Sequence, residues 1–309
     1  METLLFDQSN RTKIEMRGAD RAAFLNNFCT NDTVKLAPGN GCEAFLTTGQ
    51  AKILARLLVF ATPESLWIDA DPGLAPKIIQ HLERYVITEQ VEMWDRSETM
   101  AQWHLTGPAA NIGGQWSELS RLQVIEQALS GIACQVRRND ALGQVGYDIL
   151  SPNEQRAAVN DCLTSRGAVA GTPEDYDFLR VKAGTPAYGR DIDETNLPQE
   201  IGRDALAISF TKGCYLGQET VARIHALGHV NRLLVRLQLQ PSAVVPPGWK
   251  VFHLGQEVGK VTSAVAGPHG DGGFALAYLR RGHNEAGTRI EVESPQGRVS
   301  GIVAGPPIS

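Results

Sequence analysis

The chain lacks any run approaching the ~18 consecutive apolar residues of a membrane-spanning helix. Its first residues, METLLFDQSNRTKIEM, hold no basic stretch followed by an apolar one, so neither a leader peptide nor a membrane anchor is expected. Blocks of like charge are absent too, and the net charge is −5. A broad grip on nucleic acid needs a basic stripe, so direct nucleic-acid binding is not expected. Cysteines are few, odd in number and scattered: Cys29, Cys42, Cys134, Cys162 and Cys214, with no CxxC pair. That argues against a disulfide framework and leaves no spacing for a four-thiolate zinc site. A reducing, cytoplasmic setting is expected.

The common catalytic signatures are missing as well. No GxGxxG follows a strand and no GxxxxGK[ST] occurs, which removes the usual dinucleotide and P-loop readings. The seven histidines, His81, His104, His225, His229, His253, His269 and His283, show no Cys–His hydrolase signature. There is no HExxH, and the spacing of His225 and His229 brackets an expected helix end at Gly228. No metal site is expected.

What is present is an ordinary globular composition, 309 residues with 42% hydrophobic and 20% charged side chains. This length suits two or three packed units. Residues 12–18 alternate as a half-buried strand. Residues 20–28 read as a helix with Asp20 as N-cap. Residues 41–61 read as a hairpin turning at Gly49-Gln50. A strand at 64–71 and a helix at 75–87, with Ile78, Ile79, Leu82 and Tyr85 on one side, complete a first group. A second group follows: a strand at 101–107, a helix over 117–129, strands at 133–138 and 145–150, and a helix ending at Gly167. This order implies α+β architecture, two small sheets with helices on one face each. Beyond Gly228 the chain becomes short alternating strands separated by Gly, Pro and Asn, the pattern of a small antiparallel barrel. Residues 240–249 form a Pro-rich loop within it. The boundary is placed near residue 230.

Two stretches carry chemistry. Around TKGCYLGQET (211–220), residues 208–210 read as a strand end and 217–228 as a helix. Cys214 thus precedes a helix N-terminus, with Lys212 beside it, and both features favour a thiolate. A buried structural thiol is the competing reading, since free cysteine is often buried. The other stretch, DYDFLRVKAGTPAYGRDIDETNLPQE (175–200), reads as a helix from about Pro173 with Tyr176, Leu179 and Arg180 on neighbouring turns. An irregular Gly/Pro loop follows, the kind of segment that carries ligands. Glu200 at its end is either a solvated loop carboxylate or part of a site.

These two stretches together, LRVKAGTPAYGRD…NLPQE…FTKGCYLGQETVAR, resemble the YgfZ-type folate-binding proteins. That family is related to a mitochondrial iron–sulfur assembly factor and, more distantly, to the aminomethyltransferase (T-protein) of the glycine cleavage system. The block from Lys212 to Glu219 is the specific signature, because T-proteins lack the cysteine. Further matches are LFDQS, RGADRAAFLNNFCTND (17–32), LTTGQAKILARLLVF (46–60), LTGPAA (105–110) and VGYDI (145–149).

The resemblance implies a three-lobed ring. Two intertwined sheet-and-helix lobes, residues 1–229, would join a C-terminal antiparallel β-barrel, residues 230–309, around a hole that receives tetrahydrofolate or a one-carbon derivative. It implies a role in maturation or repair of iron–sulfur proteins, including tRNA-modifying radical enzymes. The partners would be folate and iron–sulfur clients or assembly proteins. T-proteins need a carboxylate from an Asp-Asp pair in the second strand of the hairpin. Here Ala55 and Arg56 hold those places, and a cation cannot accept a proton or stabilise a cationic iminium. Aminomethyl or methyl transfer to tetrahydrofolate is therefore the alternative function rather than the leading one.

Residue by residue, the resemblance implies that Glu200 accepts two hydrogen bonds from the pterin and that Tyr176 stacks on it. Arg11 stands where a second family tryptophan lies. Asn31 and Asp32 shape the floor of the site or form a turn, and Asp148 stands where T-proteins carry a glutamate. Cys214 is the functional thiol, its charge supported by Lys212, with Tyr215 and Gln218 shaping the approach. Glu219 lies in the first turn of the following helix. Arg223 either pairs with Glu219 or faces the glutamate tail of the folate.

Overall fold

The first two strands are neighbours in sequence that join different sheets. β1 (Leu4–Asp7) pairs antiparallel with β7 (Met100–Thr106), whereas β2 (Thr12–Arg17) lies between β5 (Ser65–Ala70) and β6 (Glu92–Asp95). The computed structural model describes residues 2–306 apart from 109, 111, 113, 114, 241–246, 268–271 and 296. One sheet has five strands in the order β3 (Gly41–Thr47), β4 (Ile53–Ala61), β5, β2, β6. The other has six, in the order β11 (Val169–Ala170), β1, β7, β10 (Gly146–Pro152), β9 (Ile132–Arg138), β8 (Val124–Leu129). Because β1 precedes β2 yet belongs with β7, the two sheets are interleaved in the chain.

Helices α1 (Arg21–Asn26), α2 (Ala75–Glu83) and α3 (Arg156–Ser165) accompany these sheets. Asp20 occupies the N-cap of α1 without capping it; its carboxylate instead accepts the Gln90 amide at 2.8 Å. Tyr85 falls just beyond α2 and packs its ring on Phe28, centroids 4.7 Å apart.

The helix expected over 117–129 is not formed. A short 3₁₀ turn (Gln115–Glu118) leads into β8, which pairs with β9 from Val124↔Arg137 to Leu129↔Ile132. The reason is the Ser130-Gly131 dipeptide, both residues with positive φ (51° and 81°). That is a two-residue hairpin turn whose twist matches antiparallel strands. Residues 208–210 are likewise not a strand end but loop. The Pro-rich loop expected at 240–249 falls largely on 241–246, outside the described residues.

A buried polar seam joins the two sheets. Arg137 of β9, fully buried, donates to Asp69 of β5 at 2.6 Å and lies 4.6 Å over the Phe60 ring. Gln102 of β7 donates to the other Asp69 oxygen at 3.2 Å. Lys13 of β2 donates to the Ser9 and Arg11 carbonyls, and burial pulls its ammonium down to about 8 despite the nearby Asp69. Removing one partner of such a buried pair costs about 3–5 kcal/mol, because the other charge is stranded.

The remaining strands alternate buried and exposed residues with period two and close on themselves. The barrel order is β12 (Arg232–Leu239), β15 (Gly273–Arg280), β14 (Gln256–Ala266), β13 (Lys250–His253), β16 (Arg289–Ser294), β17 (Gly297–Gly305). Val235, Leu237, Val251, Val261, Ala277 and Val292 fill its interior. The antiparallel barrel expected from the alternation is thus present.

The chain forms two compact units. One contains Met1–Thr47, Leu54–Pro173 and Ala207–Leu216; the other contains Thr48–Ile53, Glu174–Leu206 and Gly217–Ser309. The second therefore holds the barrel together with α4 (Pro173–Ala183) after its first residue, most of α5 (Asp204–Ala207), and α6 (Gln218–Leu227). No helix among the described residues is long and apolar enough to cross a membrane.

Candidate functional site

In the first unit the signature loop is laced to the connection between α1 and β3. Lys212 is buried, and its ammonium donates to three carbonyl oxygens: Asn26 at 2.6 Å, Cys29 at 2.8 Å and Asn31 at 2.7 Å. Its three N–H groups are thereby used, and the ammonium also lies 4.9 Å from the Tyr215 ring centroid. The loop backbone adds Ser209 N–H to Thr30 O, Leu216 N–H to Asn27 O, and Thr47 Oγ1 to Leu216 O. Thr30 Oγ1 completes the lacing on Ala207 O at 2.5 Å.

The ammonium is committed to carbonyls and anchors the loop, a role that the spacing of Lys212 and Cys214 did not show. Burial pulls its pKa down, partly offset by the Asp32 carboxylate. Tyr215 is buried under the loop, and burial pushes its phenol up.

Cys214 is exposed, whereas Cys29, Cys134 and Cys162 are buried and Cys42 is half-buried. The reading of Cys214 as a buried structural thiol is therefore excluded. It lies three residues before Gly217, the N-cap of α6. Burial raises the Cys29 thiol, which donates to Asn31 O at 3.4 Å, and pushes Cys134 to about 11. The Cys29 and Cys134 thiols are thus held protonated. Cys214 is the one cysteine that solvent reaches freely.

Asn31 and Asp32 form a turn. Asn31 Oδ1 accepts the Asp32 amide at 2.8 Å while its Nδ2 donates to Glu43 O at 2.8 Å. Asp32 Oδ1 accepts the Val34 and Lys35 amides, a local geometry that Asx residues favour.

Arg56 is buried and sits on Glu43, its Nε donating at 2.8 Å; Arg121 reaches the other Glu43 oxygen at 3.5 Å. Glu43 is the residue that local reading missed. Arg11 pairs with Asp71 at 3.1 Å. Asp148 is buried, accepting from His104 at 2.7 Å and Asn139 at 2.6 Å. Burial pushes its carboxyl up, and those hydrogen bonds more than offset this, leaving it below the usual range. Asp148 is thus half of a buried pair with His104.

In the second unit, Glu200 closes a 3₁₀ turn (Pro198–Ile201) and is 8% exposed. It is not a solvated loop carboxylate. Arg232, which opens β12, grips both its oxygens, at 3.0 and 3.1 Å. The Leu197 amide and the Asn196 side chain reach Oε2 at 3.2 and 3.4 Å. Arg232 also lies 4.9 Å over the Tyr278 ring. The two-point geometry expected for a pterin is thus already occupied by Arg232, and Oε1 keeps one lone-pair direction. Arg232 was invisible to sequence reading, since an arginine in an alternating strand looks like any solvent-facing residue.

Tyr176 is half-buried on α4. One turn on, Arg180 is buried, donating to Asp177, Asp191 and Ser263 and so tying α4 to β14. On α6, Gln218 is half-buried, and Glu219 and Arg223 are exposed. The Glu219–Arg223 ion pair considered at i, i+4 is not among those formed by the described residues. The site residues therefore divide: Asn31, Lys212, Cys214 and Tyr215 belong to the first unit, and Tyr176, Glu200, Gln218, Glu219 and Arg223 to the second.

Residues 2–212 match the model of the GCVT N-terminal domain, and residues 232–308 that of the glycine cleavage T-protein C-terminal barrel domain. The chain belongs to the GCVT family. A chloroplastic protein of Arabidopsis thaliana named "putative transferase" is 28% identical, covering 97% of this chain and 70% of the relative. An aminomethyltransferase of Symbiobacterium thermophilum is also 28% identical, over 93% of this chain and 81% of the relative. The crystal structure of the glycine cleavage system aminomethyltransferase T of Bartonella henselae matches with a TM-score of 0.87. It is 23% identical and covers 99% of this chain and 86% of the other. The fold is therefore the GCVT fold, mixed sheets and helices followed by a closed six-stranded barrel. Within this GCVT protein the hairpin strand β4 presents a buried Arg56–Glu43 pair.

Proposed function

We propose that the protein is a tetrahydrofolate-binding accessory factor for the maturation or repair of iron–sulfur proteins, of the YgfZ type, with Cys214 as its working thiol. Residues 1–229 would form the folate-binding region and 230–309 the barrel domain. The observation that carries the reading is the exposed thiol of Cys214 on a loop pinned by the buried ammonium of Lys212. A thiol presented to solvent from a rigid loop is suited to a partner protein, because the sulfur keeps its access while its position is fixed.

For folate, Glu200 offers Oε1 to one N–H of a pterin, and the second hydrogen bond forms only where Arg232 releases Oε2. Tyr176, Gln218, Glu219 and Arg223, of the same unit as Glu200, are the proposed contacts around the ring and tail, and Asn31 and Tyr215 of the first unit are proposed as cofactor-binding residues in their own right. Bound tetrahydrofolate, or a derivative, would supply a one-carbon carrier. The residues of this chain would orient it through Glu200 and keep Cys214 open to an iron–sulfur client, tRNA-modifying radical enzymes included. The five free cysteines suit a reducing compartment, and the cytoplasm is the proposed one.

A second reading is aminomethyl or methyl transfer to tetrahydrofolate, supported by the names of the relatives. The buried Arg56–Glu43 pair counts against it, since neither group is a free carboxylate. The test is complementation of cells lacking the protein, reading iron–sulfur enzyme activity at matched protein levels. Wild type restores it and Cys214→Ala does not. Full rescue by Cys214→Ala sinks the proposal, and robust methylenetetrahydrofolate formation from an aminomethyl donor favours the second reading.

A further inference from the structure

Two residues that line one cavity in the second unit each carry a buried acceptor atom without a donor among the described residues. The cavity, about 810 Å³, lies between the Pro198–Ile201 turn, the end of α6 and the rim of the barrel, and Gln199, Asp204, His225, Gly228, Leu233 and Arg281 are among the residues lining it. Gln199 is 5% exposed, and its Nε2 donates to Val221 O at 2.7 Å. The carbonyl of Val221 can only accept, so the amide cannot turn round, and Oε1 is left as the free end. Gln199 Oε1 and Asp204 Oδ1 are both buried and receive no hydrogen bond from the described residues. Buried acceptors normally find a donor, so two orphans on residues that line one cavity call for one from outside the chain.

The charge in the cavity is mixed, with acids and a helix C-terminus beside the acceptors and His225, His229 and Arg281 also lining it. Asp204 is an acid, Glu285 lines the same space, and α6 ends there at Gly228, where the last carbonyls of a helix carry partial negative charge. Burial raises the Asp204 carboxyl to about 6, and His225 pulls it slightly back, so it is mostly ionised at pH 7.5. Ile224, Val230 and Leu233 supply apolar wall. The volume lies within the range of small-molecule sites, roughly 300–1,000 Å³.

We propose that this cavity is a binding site for a small molecule bearing a primary ammonium group on a short aliphatic stem. The ammonium donates to Gln199 Oε1 and Asp204 Oδ1, and the stem lies along Ile224, Val230 and Leu233. Arg281, exposed at the rim, opposes the cation and sets a limit on affinity.

The probe is n-butylammonium, titrated by ligand-observed NMR and calorimetry at pH 7.5 into the full chain, with butyrate and n-butanol as controls. Saturable binding of n-butylammonium alone is expected. Asp204→Asn keeps the shape and removes the charge, so it weakens binding at least about tenfold, as loss of a charge-assisted hydrogen bond does. Arg281→Gln, at an exposed position, tightens it about two- to fivefold. No saturation by roughly 50 mM, where binding is worth under about 2 kcal/mol, overturns the proposal. So does equal binding of butyrate, or an affinity unchanged in both variants while thermal melts show them folded.

Discussion

Glu200 and Arg232 form a two-point ion pair, Oε1 accepting from Nε at 3.0 Å and Oε2 from Nη2 at 3.1 Å. The pair links the 3₁₀ turn to the first barrel strand, and the guanidinium is stacked on Tyr278. Glu200 is buried while the Arg232 side chain is 41% exposed, so water screens the pair from one side. Arg232→Met is expected to lower stability by about 1–2 kcal/mol, less than for a fully buried pair. Urea denaturation measures it, and an unchanged midpoint contradicts the pairing.

Thiol reactivity separates the cysteines. In native protein Cys214 reacts promptly with a disulfide reagent, Cys42 reacts slowly, and Cys29, Cys134 and Cys162 react only on unfolding. Cys214→Ala removes the prompt phase and changes stability by no more than about 0.5 kcal/mol, the usual effect of an exposed substitution. A prompt phase surviving in that variant refutes the assignment.

The signature loop contains residues with opposite tolerances. Lys212→Met removes the ammonium from three carbonyls, two of them in buried hydrogen bonds, and should cost about 3 kcal/mol. Lys212→Arg does not restore it, because a planar guanidinium cannot converge on three oxygens as an ammonium does. Gly213→Ala meets no atom and is expected to be neutral in stability. Gly217→Ala is not, because its φ is +89° and an added Cβ would lie 2.6 Å from Thr48 O. A left-handed non-glycine residue costs about 1–2 kcal/mol before the clash. Thermal melts of the four variants give the ranking, and equal melts for Gly213→Ala and Gly217→Ala contradict it.

Asp204 gives a pH signature. Its folded-state pKa, about 6, lies above the ordinary 3.8. Between those values the native state binds more protons than the unfolded state, so stability falls as pH rises through the window. Asp204→Asn lacks this titration and should gain on wild type between pH 4 and pH 7. The facing ionisable groups, His225, His229, Arg281 and Glu285, are common to both proteins. Denaturation curves at the two pH values test it, and a constant difference contradicts it.

Much of the fold was legible because burial on one face imposes period two on barrel strands and near 3.6 on helices. The alternation after Gly228 yielded the barrel, and Gly228 itself, φ 72°, closes α6. Residues 124–129 were misread as helix because the Ser130-Gly131 turn outweighs an ambiguous six-residue pattern. Side-chain partners were least legible. Lys212 lies two residues before Cys214 in sequence, yet its partners are the carbonyls of Asn26, Cys29 and Asn31, which no spacing rule reveals. Likewise Glu43–Arg56 and Glu200–Arg232 depend on sheet pairing and on the barrel returning to a distant turn.

The central claim is a folate pocket that depends on Glu200 and is independent of the Cys214 thiol. Anaerobic calorimetric titration of tetrahydrofolate into wild type, Glu200→Gln and Cys214→Ala tests it most directly. The account predicts saturable binding in wild type, weakened about 30- to 150-fold in Glu200→Gln, equivalent to roughly 2–3 kcal/mol, and retained in Cys214→Ala. Absence of binding in wild type, or equal affinity in Glu200→Gln, contradicts it.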